Sequence, residues 1–337
     1  MADSTDRRVP ADWESIACVW LAWPHQEATW PGLFSKIQGF YLDWIDRIGE
    51  SVPIKLLAGL NHFDECRGKI SGRTHVEVVP IETNDCWIRD YGPTFVRDTD
   101  QGLLGIDWQY NAWGGKYPPW ESDNAAAEQI CRAADLTWES SRLCLEGGAL
   151  EFDGAGHLLT TSRCLITDTR NPGWTHRLVE QELEARLGVR EICWVDGGGL
   201  RGDDTDGHVD QLARFVSKND LVAAVASDSA DENHLGLEEN YQILTKWVQE
   251  KAPHIQVHRL PIPPARYIDG TRVPESYCNF LRLGSERILM PSFGASSDEY
   301  ARGILEDITS AEVQTIDCRD MVWGLGALHC ASREQPL

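Results

Sequence analysis

The sequence predicts an α/β fold, because short apolar runs alternate with amphipathic helical stretches along most of its 337 residues. One unit recurs: an apolar run typical of a buried strand, a polar turn, and a helix with an apolar stripe. No Pro/Gly/Ser-rich linker and no block of like charge divides the chain. We therefore expect a single catalytic domain over residues 1–337, built of about five strand–turn–helix repeats.

The five predicted units follow one another at a mean spacing of roughly 65 residues. Each pairs a strand with a helix: 15–23 with 33–48, 94–96 with a helix from 124, 157–161 with 175–187, 221–226 with 235–248, and 287–293 with 300–308. Polar turn residues separate strand from helix in each unit. From this periodicity alone, an ordinary open α/β sheet is the preferred interpretation over a repeat architecture.

The composition indicates which partners to expect. Lys and Arg number 31 against 53 Asp and Glu, a formal net charge of −22, which disfavours nucleic acid and anionic membranes and concentrates cations near a cleft. Neither a secretion signal nor a run of ~20 apolar residues is present. Ten single cysteines without a CxxC pair are typical of reduced thiols. We expect a soluble cytoplasmic protein; a homo-oligomer stays open.

A first polar cluster, residues 84–93, reads NDCWIRDYGP. Asp90 is a candidate to accept hydrogen bonds from a cationic substrate, and Trp87 to offer it an apolar and cation–π surface. The structural alternative is an internal ion pair in which Arg89 satisfies Asp85 or Asp90. The cluster alone does not decide between them.

A second cluster, residues 202–210, reads GDDTDGHVD. If the segment ends in a strand, His208 and Asp210 project from the same face, as an acid/base pair or as metal ligands. The alternative is a solvated acidic loop with His208 in the core. A divalent metal site of a hydrolase or a structural metal site would draw on Asp203, Asp204, Asp206, His208 and Asp210.

A third cluster, GLGALHC at residues 324–330, places Cys330 after two glycines that favour a sharp turn and close approach to a ligand. A lone cysteine is usually structural. Together, however, the three clusters supply what hydrolysis of a guanidinium group needs: a thiol nucleophile, two carboxylates that hold the planar cation, and a histidine that moves protons. This chemistry requires neither a metal nor an organic cofactor.

With these motifs the sequence resembles the agmatine deiminase family, relatives of the microbial peptidylarginine deiminases in the guanidino-group-modifying superfamily. The matching segments are 84–95, 111–114, 145–148, 153–156, 170–172, 202–215, 276–280 and 328–330. The resemblance implies a five-bladed α/β propeller with pseudo-fivefold symmetry around a central active-site channel. It also implies hydrolysis of agmatine to N-carbamoylputrescine and ammonia through an amidino-cysteine intermediate, without cofactor or metal.

The resemblance assigns a role to each candidate residue. The implied roles are nucleophile for Cys330, general acid and base for His208, guanidinium clamp for Asp90 and Asp210, and substrate pocket for Trp87 and Asp204. The carboxylates should raise the pKa of the thiol, so we expect the incoming guanidinium to promote its deprotonation.

Three departures from the family pattern put recognition of the substrate's tail in question. The approach to Cys330 lacks an uninterrupted glycine run and an Asn, Asp204 replaces a common Glu, and residues 332–334 read SRE. Free arginine or peptidyl arginine therefore stay open as substrates, with a carboxylate site drawn from Arg142, Arg163, Arg201 or Arg272. A metal-dependent hydrolase or a non-catalytic polyamine-binding protein is the alternative of another class.

Overall fold

The computed structural model describes residues 7–100 and 102–337, and it has a mixed α/β architecture. The strands are β1 (Arg7–Arg8), β2 (Ile16–Ala22), β3 (Ile54–Leu57), β4 (Val76–Val79), β5 (Thr94–Asp98), β6 (Gly102–Gln109), β7 (Thr137–Cys144), β8 (Glu151–Phe152), β9 (His157–Thr160), β10 (Glu191–Trp194), β11 (Ala213–Ser217), β12 (Asp220–Val225), β13 (Gln256–Pro261), β14 (Tyr267–Ile268), β15 (Thr271–Arg272), β16 (Leu281–Leu283), β17 (Arg287–Ser292), β18 (Glu312–Asp317) and β19 (Ser332–Pro336). The helices are α1 (Phe34–Gly49), α2 (Phe63–Lys69), α3 (Ile88–Tyr91), α4 (Ala112–Gly115), α5 (Glu121–Asn124), α6 (Ala126–Ala133), α7 (Ser162–Leu165), α8 (His176–Leu187), α9 (His234–Lys251) and α10 (Asp298–Thr309). None of the helices in the described ranges is long and apolar enough to cross a bilayer.

Five sheets of three or four strands share one pattern, an antiparallel pair followed by a parallel pair. The strand orders are β19-β2-β3-β4, β1-β5-β6-β7, β8-β9-β10, β11-β12-β13 and β16-β17-β18. The parallel pairs β2–β3, β6–β7, β9–β10, β12–β13 and β17–β18 are each joined through a helical segment, as parallel strands require. The last strand, β19, is antiparallel to β2, so one sheet joins the two ends of the chain.

The predicted strands and helices lie within one to three residues of the observed ones in four units. In the second unit the predicted strand 94–96 lies within β5, but β5 is the hairpin partner of β6, a strand that was not predicted and that leads to helices α5 and α6 and then β7. Gly102, Gly105 and Asp107 interrupt the apolar run of β6, which hid it from a search for buried strands.

The core contains several of the 14 tryptophans of the chain. Helix α1 buries Ile37, Tyr41, Trp44, Ile45 and Ile48 along one side, at the spacing of an amphipathic helix. These side chains belong to a large cluster that also contains the fully buried Trp20 and Trp30. Burial of each large side chain stabilises the fold by about 1.5–3 kcal/mol.

Candidate active site

Cys330 lies in the segment between a 3-10 turn at Met321–Gly324 and β19, and its side chain is almost completely buried. The Asn279 side chain makes two hydrogen bonds with Cys330. Its Nδ2 donates to Sγ at 3.0 Å, and its Oδ1 accepts the Cys330 backbone N–H at 3.3 Å. On another side, Sγ lies 3.7 Å from Asp210 Oδ2. The thiol is thus fixed beside a carboxylate that comes from a distant part of the chain.

The two glycines before Cys330 leave room for aromatic side chains, and their close approach to a ligand stays a prediction. The left-handed backbone conformation falls on Leu325, with φ at 69°, and not on a glycine. A Cβ at Gly324 would lie 2.8 Å from the Trp30 ring, and one at Gly326 would lie 2.5 Å from the Trp87 ring. The two glycines are needed because indole rings pack directly on the backbone.

Asp90 is held from two directions within helix α3. Its Oδ1 accepts the Gly148 backbone N–H at 2.9 Å, and its Oδ2 accepts the Trp113 indole N–H at 2.9 Å. Burial raises the pKa of Asp90 to about 6, with the negative charges of Asp210 and Glu146 adding to that effect and His208 opposing it. Asp90 is therefore ionised at neutral pH but protonates more readily than an ordinary aspartate.

Asp210 is completely buried, and His329 is its partner. Oδ2 accepts a hydrogen bond from His329 Nδ1 at 2.7 Å, whereas Oδ1 has no hydrogen-bond partner within the part of the chain that the structure describes. Burial alone would raise the pKa of Asp210, but the hydrogen bond and charge of His329 outweigh it and lower that pKa. One oxygen of an ionised carboxylate is thus left to accept a hydrogen bond from a ligand.

Three of the candidate residues converge on Gly148. A Cβ built there would lie 2.6 Å from His208 Nδ1, 2.8 Å from Asp90 Oδ1 and 3.1 Å from Asp210 Oδ2. The absence of a side chain at this position lets the imidazole and two carboxylates approach one another. Two carboxylates in this arrangement can accept hydrogen bonds from a planar cation, and the imidazole beside them can exchange a proton with it.

His208 lies between two carboxylates. Its Nδ1 is 3.5 Å from Asp90 Oδ1, and its Nε2 is 3.7 Å from Glu146 Oε2. Burial would lower the pKa of His208, but the attraction of Asp90 and Glu146 raises it to about 9. Glu146 itself is held by Arg170 Nε at 2.7 Å. The histidine is consequently an imidazolium at neutral pH, able to donate a proton.

The expectation that His208 and Asp210 share one face of a strand was wrong. His208 precedes a 3-10 turn at Val209–Gln211. With about three residues per turn, side chains two positions apart point in different directions. His208 accordingly contacts the Asp90 and Glu146 side, and Asp210 contacts the Cys330 side. The sharp turn that allows this contains Asp206 and Gly207, both with positive φ.

The thiol is strongly biased toward its protonated form. Burial raises the pKa of Cys330 well above that of an ordinary cysteine, and the charges of Asp210 and Asp90 raise it further. The direction agrees with the expectation from sequence. An approaching cation would reduce this bias, because it would neutralise the same carboxylates.

A cavity of about 630 Å³ reaches Cys330 and Asp90 from outside. Its aromatic wall includes Trp87, Trp113 and Trp323. Its ionisable lining residues are Asp85, Asp90, Asp123, Asp204 and Lys116. Lys116 already binds Asp206 Oδ2 at 2.8 Å. The cavity therefore suits an apolar chain that carries positive charge.

Comparison with known proteins gives this site a family. The profile of the Porphyromonas-type peptidyl-arginine deiminases matches residues 8–336. The chain belongs to this family. It is 31% identical to the agmatine deiminase of Pseudomonas aeruginosa strain LESB58, with 98% of this chain and 95% of the relative covered.

Solved structures of the peptidyl-arginine deiminase family and its relatives also match over the full chain. The agmatine deiminase of Enterococcus faecalis superposes with a TM-score of 0.91 at 26% identity, covering 100% of this chain and 98% of the other. The C. jejuni agmatine deiminase with substrate bound gives 0.90 at 26% identity, covering 98% and 96%. The mixed α/β fold described above is thus the fold of agmatine deiminases.

Two of the predicted site residues, Trp87 and Asp204, line the cavity. Trp87 packs 5.6 Å from Trp30, centroid to centroid. Asp204 accepts a hydrogen bond from the hydroxyl of Tyr117, which is half exposed. Because Tyr117 lies in the loop after α4, a residue from a distant segment holds the Asp204 carboxylate at the cavity wall.

The ion pair proposed for Arg89 has a different partner. Arg89 binds Glu334 and the carbonyl of His329, and neither Asp85 nor Asp90. Glu334 belongs to β19, so the departure from the family pattern after the nucleophile places a carboxylate against this guanidinium. Within residues 7–100 and 102–337, Asp90 therefore has no guanidinium partner, and it accepts hydrogen bonds from the two N–H donors named above.

The alternative metal set at residues 203–210 does not converge. Asp203 accepts N–H groups of its own turn, Asp206 binds Lys116 and Arg170, and Asp204 binds Tyr117. Over residues 7–100 and 102–337, the group of three ligand-type side chains whose atoms lie within 4.8 Å is Asp12, His329 and Glu334. The second cluster is therefore a structured turn rather than a coordination shell.

Three residues of the site had not been assigned a role from the sequence: Glu146, Asn279 and His329. Glu146 and Asn279 fall in two of the family-matching segments, 145–148 and 276–280. This match is the sequence signal that could have identified them as site residues. His329 directly precedes Cys330 and could be read only as its neighbour.

Proposed function

We propose that this protein is an agmatine deiminase, which hydrolyses agmatine to N-carbamoylputrescine and ammonia through a covalent amidino-cysteine intermediate. The observation that carries the proposal is the convergence of His208, Asp90 and Asp210 on Gly148, beside a thiol 3.7 Å from Asp210 Oδ2. Full-length similarity to agmatine deiminases supports the same activity.

In the proposed complex, Asp90 and Asp210 accept hydrogen bonds from the guanidinium, and Trp87 packs against the methylene chain. The distal ammonium extends toward Asp204 in the acidic cavity. An arginine substrate would bring a carboxylate to this cavity, and among the described residues no arginine lines it. Of the four candidates, Arg142, Arg163 and Arg201 are exposed, and Arg272 is bound to Asp231 through two hydrogen bonds.

The first half of the reaction forms the covalent intermediate. The bound cation offsets the two carboxylates, the thiol loses its proton to solvent, and the thiolate forms a C–S bond with the guanidinium carbon. The imidazolium of His208 donates its proton to one amino group, the C–N bond breaks, and ammonia leaves. The product is a cationic S-alkylthiouronium on Cys330, with His208 now neutral.

The second half uses His208 as a base. Water adds to the same carbon while neutral His208 takes one of its protons, which restores the imidazolium. The C–S bond then breaks as the ureido C=O forms, and the remaining hydroxyl proton passes to the departing thiolate, which regenerates the thiol. Glu146, held by Arg170, stabilises the imidazolium in both halves of the cycle.

The proposal includes an architecture, a single domain that is a five-bladed α/β propeller around a central active-site channel. Five sheets of one strand pattern support it, as does the pairing of β19 with β2, which would close the ring. It also includes a reducing, cytoplasmic compartment, since all ten cysteines are free. A small guanidino compound is the proposed partner, with no nucleic acid or membrane and with a homo-oligomer left open.

A second candidate activity is deimination of peptidyl arginine, which the description of the family profile favours. The decisive experiment compares agmatine, free arginine and an arginyl peptide, measuring ammonia and ureido product for each. We expect product with agmatine, little with the other two, and none in any tube for Cys330→Ser. Product from the peptide at a rate equal to that with agmatine would overturn the assignment, and absence of all three products in the wild type would remove the activity.

A further inference from the structure

His329 and Cys330 are adjacent in sequence but face different sides of the site. Cys330 lines the substrate cavity, whereas His329 lines a small cleft on another side together with Asp12 and Glu334. The His329 side chain is 2% exposed, and its Nδ1 lies 2.7 Å from Asp210 Oδ2. His329 therefore makes the shortest contact to Asp210, one of the two carboxylates of the proposed clamp, although its own side chain does not line the substrate cavity.

The hydrogen bond fixes which oxygen of Asp210 faces which neighbour. Oδ2 is shared between His329 and the region of the thiol, and Oδ1 has no hydrogen-bond partner among the described residues. An aspartate has one strongly fixed torsion and one broad one, so without a donor at Oδ2 its carboxylate can rotate. Rotation would move both the free acceptor and the charge beside Cys330.

The cleft behind His329 keeps the imidazole in place. His329 Nε2 lies 3.8 Å from Asp12 Oδ2, and Asp12 in turn binds Arg214 at 2.5 Å. Glu334, on the same side, binds Arg89. Because each of these carboxylates already has a guanidinium partner, the Asp12, His329 and Glu334 cluster suits a buried charge network better than a divalent cation.

We infer that His329 is a positioning residue, which holds the Asp210 carboxylate in the orientation that receives the guanidinium. The expected effect on kinetics rests on the proposed function, whereas the expected effect on the orientation of the Asp210 carboxylate does not. His329 touches no substrate; it acts through Asp210 alone.

The test compares three replacements of His329. In His329→Asn the amide nitrogen occupies the place of Nδ1 and can still donate to Asp210, whereas in His329→Gln it lies one bond further along, toward the cleft. His329→Ala has no donor. We expect His329→Asn to stay within about fivefold of wild-type kcat/KM, and His329→Ala and His329→Gln to fall roughly 100-fold, the effect of a misplacement near 1 Å. His254→Ala, at an exposed position, is the matched control.

The KM separates positioning from simple loss of folded enzyme. Partial unfolding would lower kcat and leave KM unchanged, whereas a rotated clamp raises KM for agmatine by at least about tenfold. Equal damage from His329→Asn and His329→Ala, or an unchanged KM in both, would overturn the inference.

Crystal structures of the Asn and Ala variants give a readout that needs no substrate. The Asp210 carboxylate should keep its orientation in His329→Asn and turn in His329→Ala. An unturned carboxylate in both would refute positioning even in an active enzyme. If the wild type hydrolyses no guanidine, the proposed function fails, and these two structures still decide the role of His329.

Discussion

Replacement of Gly148 by alanine should abolish most activity while leaving the fold intact. The backbone at Gly148 is outside the left-handed region, so alanine can adopt it without strain. The added Cβ, however, would lie 2.6 Å from His208 Nδ1 and 2.8 Å from Asp90 Oδ1. Both distances are shorter than a carbon–heteroatom contact allows, so the imidazole and the carboxylate must move apart.

The size of the effect follows from that displacement. Ordinary contact begins near 3.4 Å, so His208 must retreat by roughly 0.8 Å, and a misplacement near 1 Å costs a catalyst on the order of 100-fold in rate. This corresponds to about 2.7 kcal/mol of transition-state stabilisation. Because the clamp is displaced together with the proton donor, KM and kcat should both deteriorate.

The assay is steady-state release of ammonia from agmatine, with the thermal midpoint as a measure of folding. Gly303→Ala is the matched control: it lies in α10, a Cβ there meets nothing within 4 Å, and alanine should stabilise the helix by up to about 1 kcal/mol. If Gly148→Ala folds and keeps activity within threefold of wild type, on the order of 0.65 kcal/mol, the three side chains do not form the site.

Further predictions concern charge. For the wild type, kcat/KM should fall below pH about 6 as Asp90 takes up a proton and above about 9 as His208 loses one; a flat profile between pH 5 and 10 would contradict both assignments. Glu146→Gln should move the alkaline limb to lower pH, because the imidazolium loses one of the carboxylates that stabilise it, and an unmoved limb would exclude that contact. Iodoacetamide should alkylate Cys330 slowly at pH 7 and faster as pH rises, as followed by mass spectrometry of the C-terminal peptide; rapid alkylation at pH 7 would show a preformed thiolate. Asp204→Asn should raise KM for agmatine about tenfold with little change in kcat, since it removes one charge distant from the reacting carbon, and an unchanged KM would remove Asp204 from the binding site.

Cys330, His208, Asp90 and Asp210 could be predicted from the sequence as candidate site residues because each stands in one of three motifs that match the family pattern. The sequence could not show which residues contact these four in the folded protein. Asn279 is 51 residues from Cys330 and His329 is 119 from Asp210, so no local pattern relates them. Glu146 follows an apolar run and precedes two glycines, a context typical of a strand end. Only folding brings these residues together.

The fold was predictable to a similar degree. Strand and helix could be located where apolar periodicity is uninterrupted, as in the stretch that forms β12 and α9. The antiparallel partner strand in each sheet could not be located, because strands such as Leu281–Leu283 and Glu151–Phe152 are too short to show a hydrophobic period. The pairing of β19 with β2 is set by contacts over the whole chain and has no sequence signal.

The electrostatics of the site explain why Cys330 and His208 both favour their protonated forms in the free protein. The carboxylates that would bind the guanidinium are the ones that raise the pKa of the Cys330 thiol, and Asp210 also lies in direct contact with it. A substrate cation placed between them removes the opposition to thiolate formation at the moment when the electrophilic carbon arrives. His208 meanwhile keeps its proton, because Glu146 and Asp90 hold it as an imidazolium. The same negative charge thus raises the pKa of the Cys330 thiol, which disfavours the thiolate, and the pKa of His208, which favours the imidazolium.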